Sequence, residues 1–352
     1  MATGAPLSLI DLANSLDPAG ETIEMAELLS MADDLMEYMV WKEGNTNTGH
    51  IFRVRTSIPQ GWWRFIGQGV PMAKTTSAQG RMNCGMLEEN STIDRKLVDM
   101  AGSGGSQRMY RYQEDNGIVQ GMGQNISGTF FYGNQLLNPA SFNGFFTAFY
   151  NTVNPANSPV AANVFDGGGL GSSNASIMLA GFSPRSIYGV FPKGSKAGLT
   201  VEPLDYTELA YDALGNPYRA MITWFKQEAG LCVEDWRWGV RYCNLDVTGA
   251  GLGGGNAPDI FATMTRMVLR LPKMARNVSG ITETDAKSEA GLVVRPVFLT
   301  NRNVRGYMDI QAIRQPNVLL GPRDYAGSPI ENWRGVPIGV VDKMLSTETR
   351  VT

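Results

Sequence analysis

Tyr112, Val119, Met122, Ile126 and Phe130 recur at spacings of seven, three, four and four, which places them on one face of a helix. The pattern predicts a long helix over residues 105–131, a rod of roughly 40 Å. Gly117, Gly121 and Gly128 fall on the opposite face. Each glycine inside a helix costs roughly 1 kcal/mol relative to alanine, so packing must hold this helix. The expected arrangement is a spine, with its apolar stripe on a sheet and a small-residue stripe that another backbone can approach closely. Met25, Leu28, Leu29, Ala32, Leu35, Met36 and Met39 predict an amphipathic helix over 22–40. Over 49–58 the period changes to two: Phe52, Val54, Thr56 and Ile58 alternate with Arg53, Arg55 and Ser57, and Pro59 ends the strand. A second extended run over 74–87 can pair back on it. The connection between them holds Trp62, Trp63, Phe65 and Ile66, too long for a tight hairpin and too apolar for an idle loop.

The rest of the pattern is α+β. Residues 1–22 read as an arm broken at Asp17-Pro18-Ala19-Gly20. Residues 132–175, poor in charge and rich in Asn, Gly, Phe and Ser, read as a long surface excursion with short ordered pieces. Strands are expected over 176–180, 186–191, 218–229 and 231–247, with a turn at Gly215-Asn216-Pro217. A helix over 257–271, a strand over 292–299, a short helix over 304–314 and a last strand over 336–341 complete the chain. No internal repeat is present.

A chain of 352 residues exceeds the roughly 250–300 at which a single core stops growing, so two or more lobes, or an elongated molecule, are expected. Only 18% of residues are charged, against the usual figure of about 25%, which fits a surface largely covered by partners. The net charge of −3 argues against a basic face that grips nucleic acid, while leaving room for passive contact. Cys84, Cys232 and Cys243 are odd in number and scattered, so free thiols in a reducing compartment are expected. Residues 1–13 lack the basic start and apolar run of a signal peptide, and no stretch approaches the roughly 18 apolar residues of a membrane span.

Candidate chemistry is thin. Gly249-Ala250-Gly251-Leu252-Gly253-Gly254 matches the dinucleotide fingerprint between an expected strand and helix. The strand that follows ends in Thr300-Asn301-Arg302 rather than in the acidic residue that would hold a ribose. A linker is the better reading, and an intracellular α/β nucleotide-binding enzyme is the alternative. Gly167-Gly168-Gly169-Leu170-Gly171 lacks the Lys-Ser/Thr of a phosphate loop. His50 is the only histidine and is expected on a strand surface, without a G-x-S-x-G motif nearby. One histidine and three scattered cysteines give no metal-ligand spacing. Glu88-Glu89 and Glu234-Asp235 are adjacent carboxylates, which on a strand point to opposite faces. No catalytic set, cofactor or metal is expected. A third reading takes Trp62, Trp63, Trp236 and Trp238 as stacking platforms of a carbohydrate- or protein-binding module.

Several words in one order carry a resemblance. They are Met39-Val40-Trp41-Lys42-Glu43-Gly44, Gly49-His50, the strand from Arg53 to Pro59, Gly85-Met86-Leu87-Glu88 and Phe130-Phe131-Tyr132-Gly133-Asn134. Further on come the run from Phe191 to Leu199, Gly230-Leu231-Cys232-Val233-Glu234-Asp235-Trp236-Arg237 and Trp333-Arg334-Gly335-Val336-Pro337-Ile338. In this the chain resembles the major capsid proteins of tailed bacteriophages, the Hong Kong 97-type fold, and looks closest to those of short-tailed phages of the Bordetella-phage kind. The resemblance implies an N-terminal arm over 1–47, an extended loop over 48–88, a peripheral domain over 89–255 that includes the spine helix, and an axial domain over 256–352. One departure is that the β-rich block 176–247 precedes the axial helix, where the founding fold has its closing peripheral strands last.

The implied function is structural. Copies would assemble into hexamers and pentamers of an icosahedral shell enclosing double-stranded DNA, built in the host bacterial cytoplasm and ending in the virion. The implied partners are the chain itself, cement or decoration, scaffolding and portal proteins, and packaged DNA in passive contact. Some capsids of this fold cross-link a loop lysine to a neighbour. Lys74 is near that place, but no carboxylate is placed as the base, so a non-covalent shell is expected. The residues expected at the contact between subunits are Arg53, Arg55, Trp62, Trp63, Phe65, Ile66 and Lys74.

Overall fold

The computed structural model describes residues 33–101, 104–203, 208–212, 214–248, 251–254, 257–272, 294–314, 321–325 and 328–352. The arm and most of the 22–40 helix lie outside these residues, as do Gly249, Ala250 and Gly255 of the glycine run. In chain order the elements are α1 (Leu35–Tyr38), β1 (Trp41–Glu43), β2 (Gly49–Ser57), β3 (Thr76–Asn83), β4 (Gly85–Asp94), α2 (Arg95–Met100) and α3 (Gly104–Tyr132). Then come β5 (Val164–Asp166), β6 (Asn174–Phe182), β7 (Ile187–Phe191), β8 (Leu199–Pro203), β9 (Glu208–Tyr211), β10 (Pro217–Val233) and β11 (Gly239–Asp246). The chain ends with α4 (Ile260–Arg270), β12 (Arg295–Thr300), α5 (Arg302–Arg314), β13 (Gly321–Tyr325), β14 (Ser328–Trp333) and β15 (Val336–Val340). The expected long helix, the paired ribbon and the later helices are therefore present. The strand break expected near residue 230 falls instead at Trp236–Trp238, a 3₁₀ turn whose Arg237 amide is capped by the Asp235 carboxylate.

The chain divides into two compact units. Among the described residues, one comprises Met86–Ile126 and Gly198–Glu228. Within it β8 and β9 lie end to end along one edge of β10, pairing with residues 223–227 and 217–220. The Asp212 carboxylate closes the turn between β9 and β10 by accepting the amides of Leu214 and Asn216. A small core forms where Ile93, Leu97, Val98, Ala101 and Tyr110 meet Met221. This corrects the expected stripe of the long helix. Tyr110 is buried and Tyr112 exposed, because a shift of two residues turns a side chain about 200° around a helix.

The other unit comprises Ala32–Gly85, Ser127–Ala197 and Ala229–Thr352. Its centre is β6, flanked on both sides by antiparallel partners, β11 and β12. All nine residues of β6 are buried, which its nearly continuous apolar sequence Ala-Ser-Ile-Met-Leu-Ala-Gly-Phe requires. Beyond β12 the order runs β15, β14, β13; β7 pairs with β1 and with the end of β10. The segment expected as a surface excursion is one only in part: residues 136–140 and 154–157 are exposed, while the aromatic stretch between them is core. Phe142, Phe145, Phe146 and Tyr150 are buried with Phe130 and Phe131, around a π-helical turn at Phe145–Phe149. Scarcity of charge there accompanies a buried aromatic stretch and exposed loops alike.

Among the described residues, no backbone of the chain itself approaches the small-residue stripe. A Cβ added at Gly117, Gly121 or Gly128 would meet nothing within 4 Å.

Candidate assembly surface

β2 and β3 pair in register from Gly49↔Asn83 to Arg55↔Ser77, and form a sheet of their own. At its root the ribbon is tied to the body. The Gly44 amide donates to the Phe191 carbonyl (2.8 Å), the Cys84 amide to the Thr48 carbonyl (3.0 Å), and Arg81 Nη2 to Thr48 Oγ1 (2.9 Å). Asn45 grips Ile51 with both ends of its amide, 2.7 and 2.8 Å. Gly49 has φ +154°, and a Cβ there would run into the Met82 carbonyl oxygen, so only glycine fits this bend. Phe52, Met82 and Cys84 pack on Tyr188, Val190 and Cys232.

From Arg53 outwards the support ends. Neither face of the ribbon is buried beyond that point. Phe52 covers the gap opposite it, where its ring lies over Gly80, and Arg53 Nε donates to Ser77 Oγ (2.6 Å). The alternation of Val54, Thr56 and Ile58 with Arg53 and Arg55 thus marks two solvent faces rather than one buried face.

At the tip the exposures are 69% for Trp62, 104% for Trp63, 85% for Phe65 and 105% for Ile66. The tip holds its shape locally through the Gln68 amide on the Phe65 carbonyl (3.1 Å) and Arg64 Nη1 on the Gln68 carbonyl (3.0 Å). These side chains do not fold back on their own body. Arg55 and Lys74 are also exposed. Of the residues expected at a contact, the structure therefore gathers all seven on one projecting ribbon.

Residues 49–85 carry Arg53, Arg55, Arg64, Lys74 and Arg81 and no carboxylate, within a chain of net charge −3. The segments 86–126 and 198–228 carry eleven carboxylates against six cations.

The other concentration of polar chemistry is structural. Arg241, on β11, is buried; its Nη2 meets Glu348 Oε2 at 2.8 Å, its Nη1 donates to the Tyr150 carbonyl (2.8 Å), and its Nε to Ser176 Oγ (3.1 Å). Its guanidinium stacks 3.9 Å from the centroid of Phe146. Tyr132 and Ser176 donate their hydroxyls to the same Glu348 carboxylate. Burial, then the neighbouring carboxylate, push the Tyr132 hydroxyl well above its ordinary value. Each polar group here has a partner, which is what a buried ion pair needs to be tolerated.

The remaining sequence candidates are corrected or accounted for. His50 is not a surface residue; it is 8% exposed, at the ribbon root, with its ring edge-on to Tyr188. Sequence alone signalled this only through its position at the start of the strand, beside Gly49. Glu234 accepts from the Tyr188 hydroxyl (3.2 Å), and Asp235 pairs with Arg237 (2.7 Å). Trp238 is buried against Gly181, so it offers no stacking platform. The dinucleotide reading fails on topology: β11 and β12 do not form a parallel pair, because β6 runs antiparallel between them. Asp259 caps α4 by accepting the Ala262 amide (2.9 Å), placing a carboxylate where a phosphate would sit. The three cysteines form no disulfide with one another.

A buried mixed sheet, a long helix and an unsupported projecting ribbon define a shell-building protein of the Hong Kong 97-type capsid fold. A chain of the bacteriophage Epsilon15 cryo-EM structure superposes over 100% of both chains, with a TM-score of 0.75 and 25% identity. A chain of the bacteriophage JBD30 capsid matches 91% of this chain and 93% of its own length at 10% identity and a TM-score of 0.48. No curated protein matches the sequence. Residues 17–352 match the family model described as major capsid protein GP7, and the chain belongs to that family. It is a phage major capsid protein: it associates with itself to form a shell, and its place is the virion. The nucleotide-enzyme alternative falls with that assignment.

Proposed function

We infer that copies of this chain assemble as hexamers and pentamers of an icosahedral shell around double-stranded DNA, with the ribbon tip of each copy seated on a neighbouring copy. The observation that carries this reading is the tip itself: Trp63 and Ile66 fully exposed, on a ribbon with five cations and no carboxylate. Burying one such side chain is worth roughly 1.5–3 kcal/mol. Repeated over many copies, contacts that are individually modest after the cost of association hold a closed particle. Arg53, Arg55 and Lys74 flank the apolar tip and would face carboxylates, which the 86–126 and 198–228 segments supply in excess.

Within this reading, 1–47 is the arm, 48–88 the extended loop, 89–255 the peripheral domain with α3 as its spine, and 256–352 the axial domain. On the words quoted above, the chain is taken to be similar in kind to the capsid proteins of short-tailed phages of the Bordetella-phage type. Assembly takes place in the host cytoplasm, with scaffolding, portal and cement or decoration proteins as further partners and DNA in passive contact. The role is structural rather than catalytic, and the contacts are non-covalent.

Replacing residues 61–67 by a short Gly/Ser turn tests the tip. The expected outcome is an unchanged circular dichroism spectrum and melting temperature, with no particles by electron microscopy. Normal particles from that variant would remove the tip from assembly, and a misfolded variant would return the tryptophans to their own body.

A further inference from the structure

The ribbon root holds a group that the shell contact does not use. His50 is the sole histidine of the chain, and it sits where the ribbon leaves the body. Its ring meets Tyr188 edge-on, with centroids 5.9 Å apart and planes at 79°. Its Nδ1 is buried and has no hydrogen-bond partner among the described residues. A ring held this way is accommodated as the neutral imidazole, since a second N–H would point at no acceptor.

The charged and titratable groups around it come from several elements. Lys42, on β1, places Nζ 4.9 Å from the centroid of the same Tyr188 ring and donates to the Pro184 carbonyl (3.3 Å). Glu234, just past β10, accepts from the Tyr188 hydroxyl (3.2 Å). Cys232, on β10, has a thiol pushed up to about 11, chiefly by burial. Cys84, between β3 and β4, donates to the Val190 carbonyl (3.6 Å). Tyr188 itself is raised, first by burial, and stays neutral. Desolvation, then the Lys42 charge, hold His50 below its ordinary value, against a lesser opposite pull from Glu234.

We propose that His50 is an acid-sensitive bolt at the ribbon root: a proton taken up there puts a cation into a buried site that already faces Lys42, and the root unseats. Position gives this leverage. The nine residues of β2 span roughly 30 Å, so a tilt of about 10° at the root carries the tip by about 5 Å. The sign follows from the direction of the shift. The folded protein holds His50 neutral more firmly than the unfolded chain does, so the root is fully seated above about pH 6.5. It loses stability as pH falls from there toward the lowered folded value, and no further below it.

Two measurements on the full-length protein test the bolt. Histidine C2 hydrogen–deuterium exchange by mass spectrometry reports His50 alone, because no other histidine contributes; a midpoint below 6.5 is expected, and one at or above 6.5 overturns the proposal. Backbone amide exchange over 49–52 and 80–83, expressed as protection factors from pH 7.5 to 5, reads the root directly. Protection should fall at least tenfold in the wild type, while His50→Phe, which keeps an aromatic edge without a titrating nitrogen, should stay flat. A variant with the wild-type acid response overturns the proposal. Should His50→Phe not fold, His50→Gln provides the non-titrating control, and the C2 exchange midpoint decides alone if both fail. Neither readout depends on particle formation, so failure of the bolt is separable from failure of the shell contact.

Discussion

β2 and β6 are both nine residues long, and they are opposites. β6 is covered on every residue, with antiparallel neighbours on both sides. β2 is buried only at Gly49 and His50, pairs with β3 alone among the described strands, and leads to a tip where Trp63 and Ile66 are fully exposed. One strand is satisfied by its own chain. The other is ordered with its outer half and its tip uncovered. An isolated two-stranded ribbon is marginal in water, so the subunit keeps its ribbon in shape because the root is anchored and Gly49 sets the bend.

The largest effect should come from breaking the seal over β6. Glu348→Ala leaves Arg241 buried without its carboxylate, and orphans the hydroxyls of Ser176 and Tyr132. Loss of about 3–5 kcal/mol in denaturant unfolding is expected; a loss under about 1 kcal/mol would show that the pair is not what closes this end of the sheet. Smaller, and a sharper contrast, is a matched pair of truncations. Ile177→Val on β6 should cost about 0.5–1.5 kcal/mol, whereas Trp63→Ser at the tip should change subunit stability by no more than about 0.5 kcal/mol while lowering particle yield. If Trp63→Ser destabilises the subunit as much as Ile177→Val does, the two strands differ less than their exposures say. The smallest effect is chemical. Burial pushes Cys243 up to about 12 and Cys232 up to about 11, so at pH 8 both should resist a thiol reagent in the folded subunit and react on unfolding. The partly exposed Cys84 should be modified first, a ranking that a mass-spectrometric time course would check.

Much of this contrast was legible in the sequence. Period-two alternation followed by Pro59, and two adjacent tryptophans in a connection too long for a turn, announced the ribbon and its tip. What remained hidden has physical causes. Tyr110 and Tyr112 are both aromatic and both helical, and only the packing of Ile93, Leu97 and Met221 chooses between them. The uncharged run after residue 131 could be solvent or core; Phe145, Phe146 and Tyr150 are core because Arg241 and the sheet need a covering layer. The short strands β8, β9, β13 and β14 carry too few residues for a period to be counted. His50 looked exposed because alternation predicts two faces, but not where along a strand the body begins.

Asp34 accepts the Val340 amide across 306 residues of sequence, at 2.6 Å, and the ribbon root is packed by Tyr188, Val190 and Cys232, which follow the ribbon by more than a hundred positions. A ribosome adding about 5–20 residues per second needs roughly 20–70 s for a chain of this length. The exposed tip therefore leaves the exit tunnel early, whereas the platform at its root, and the last strand that locks the first described residues, are made late. A nascent chain carries the tip without the means to hold it in its reaching posture. Anchorage of the ribbon is thereby tied to completion of synthesis, a timing written into the order of the elements rather than into any one residue.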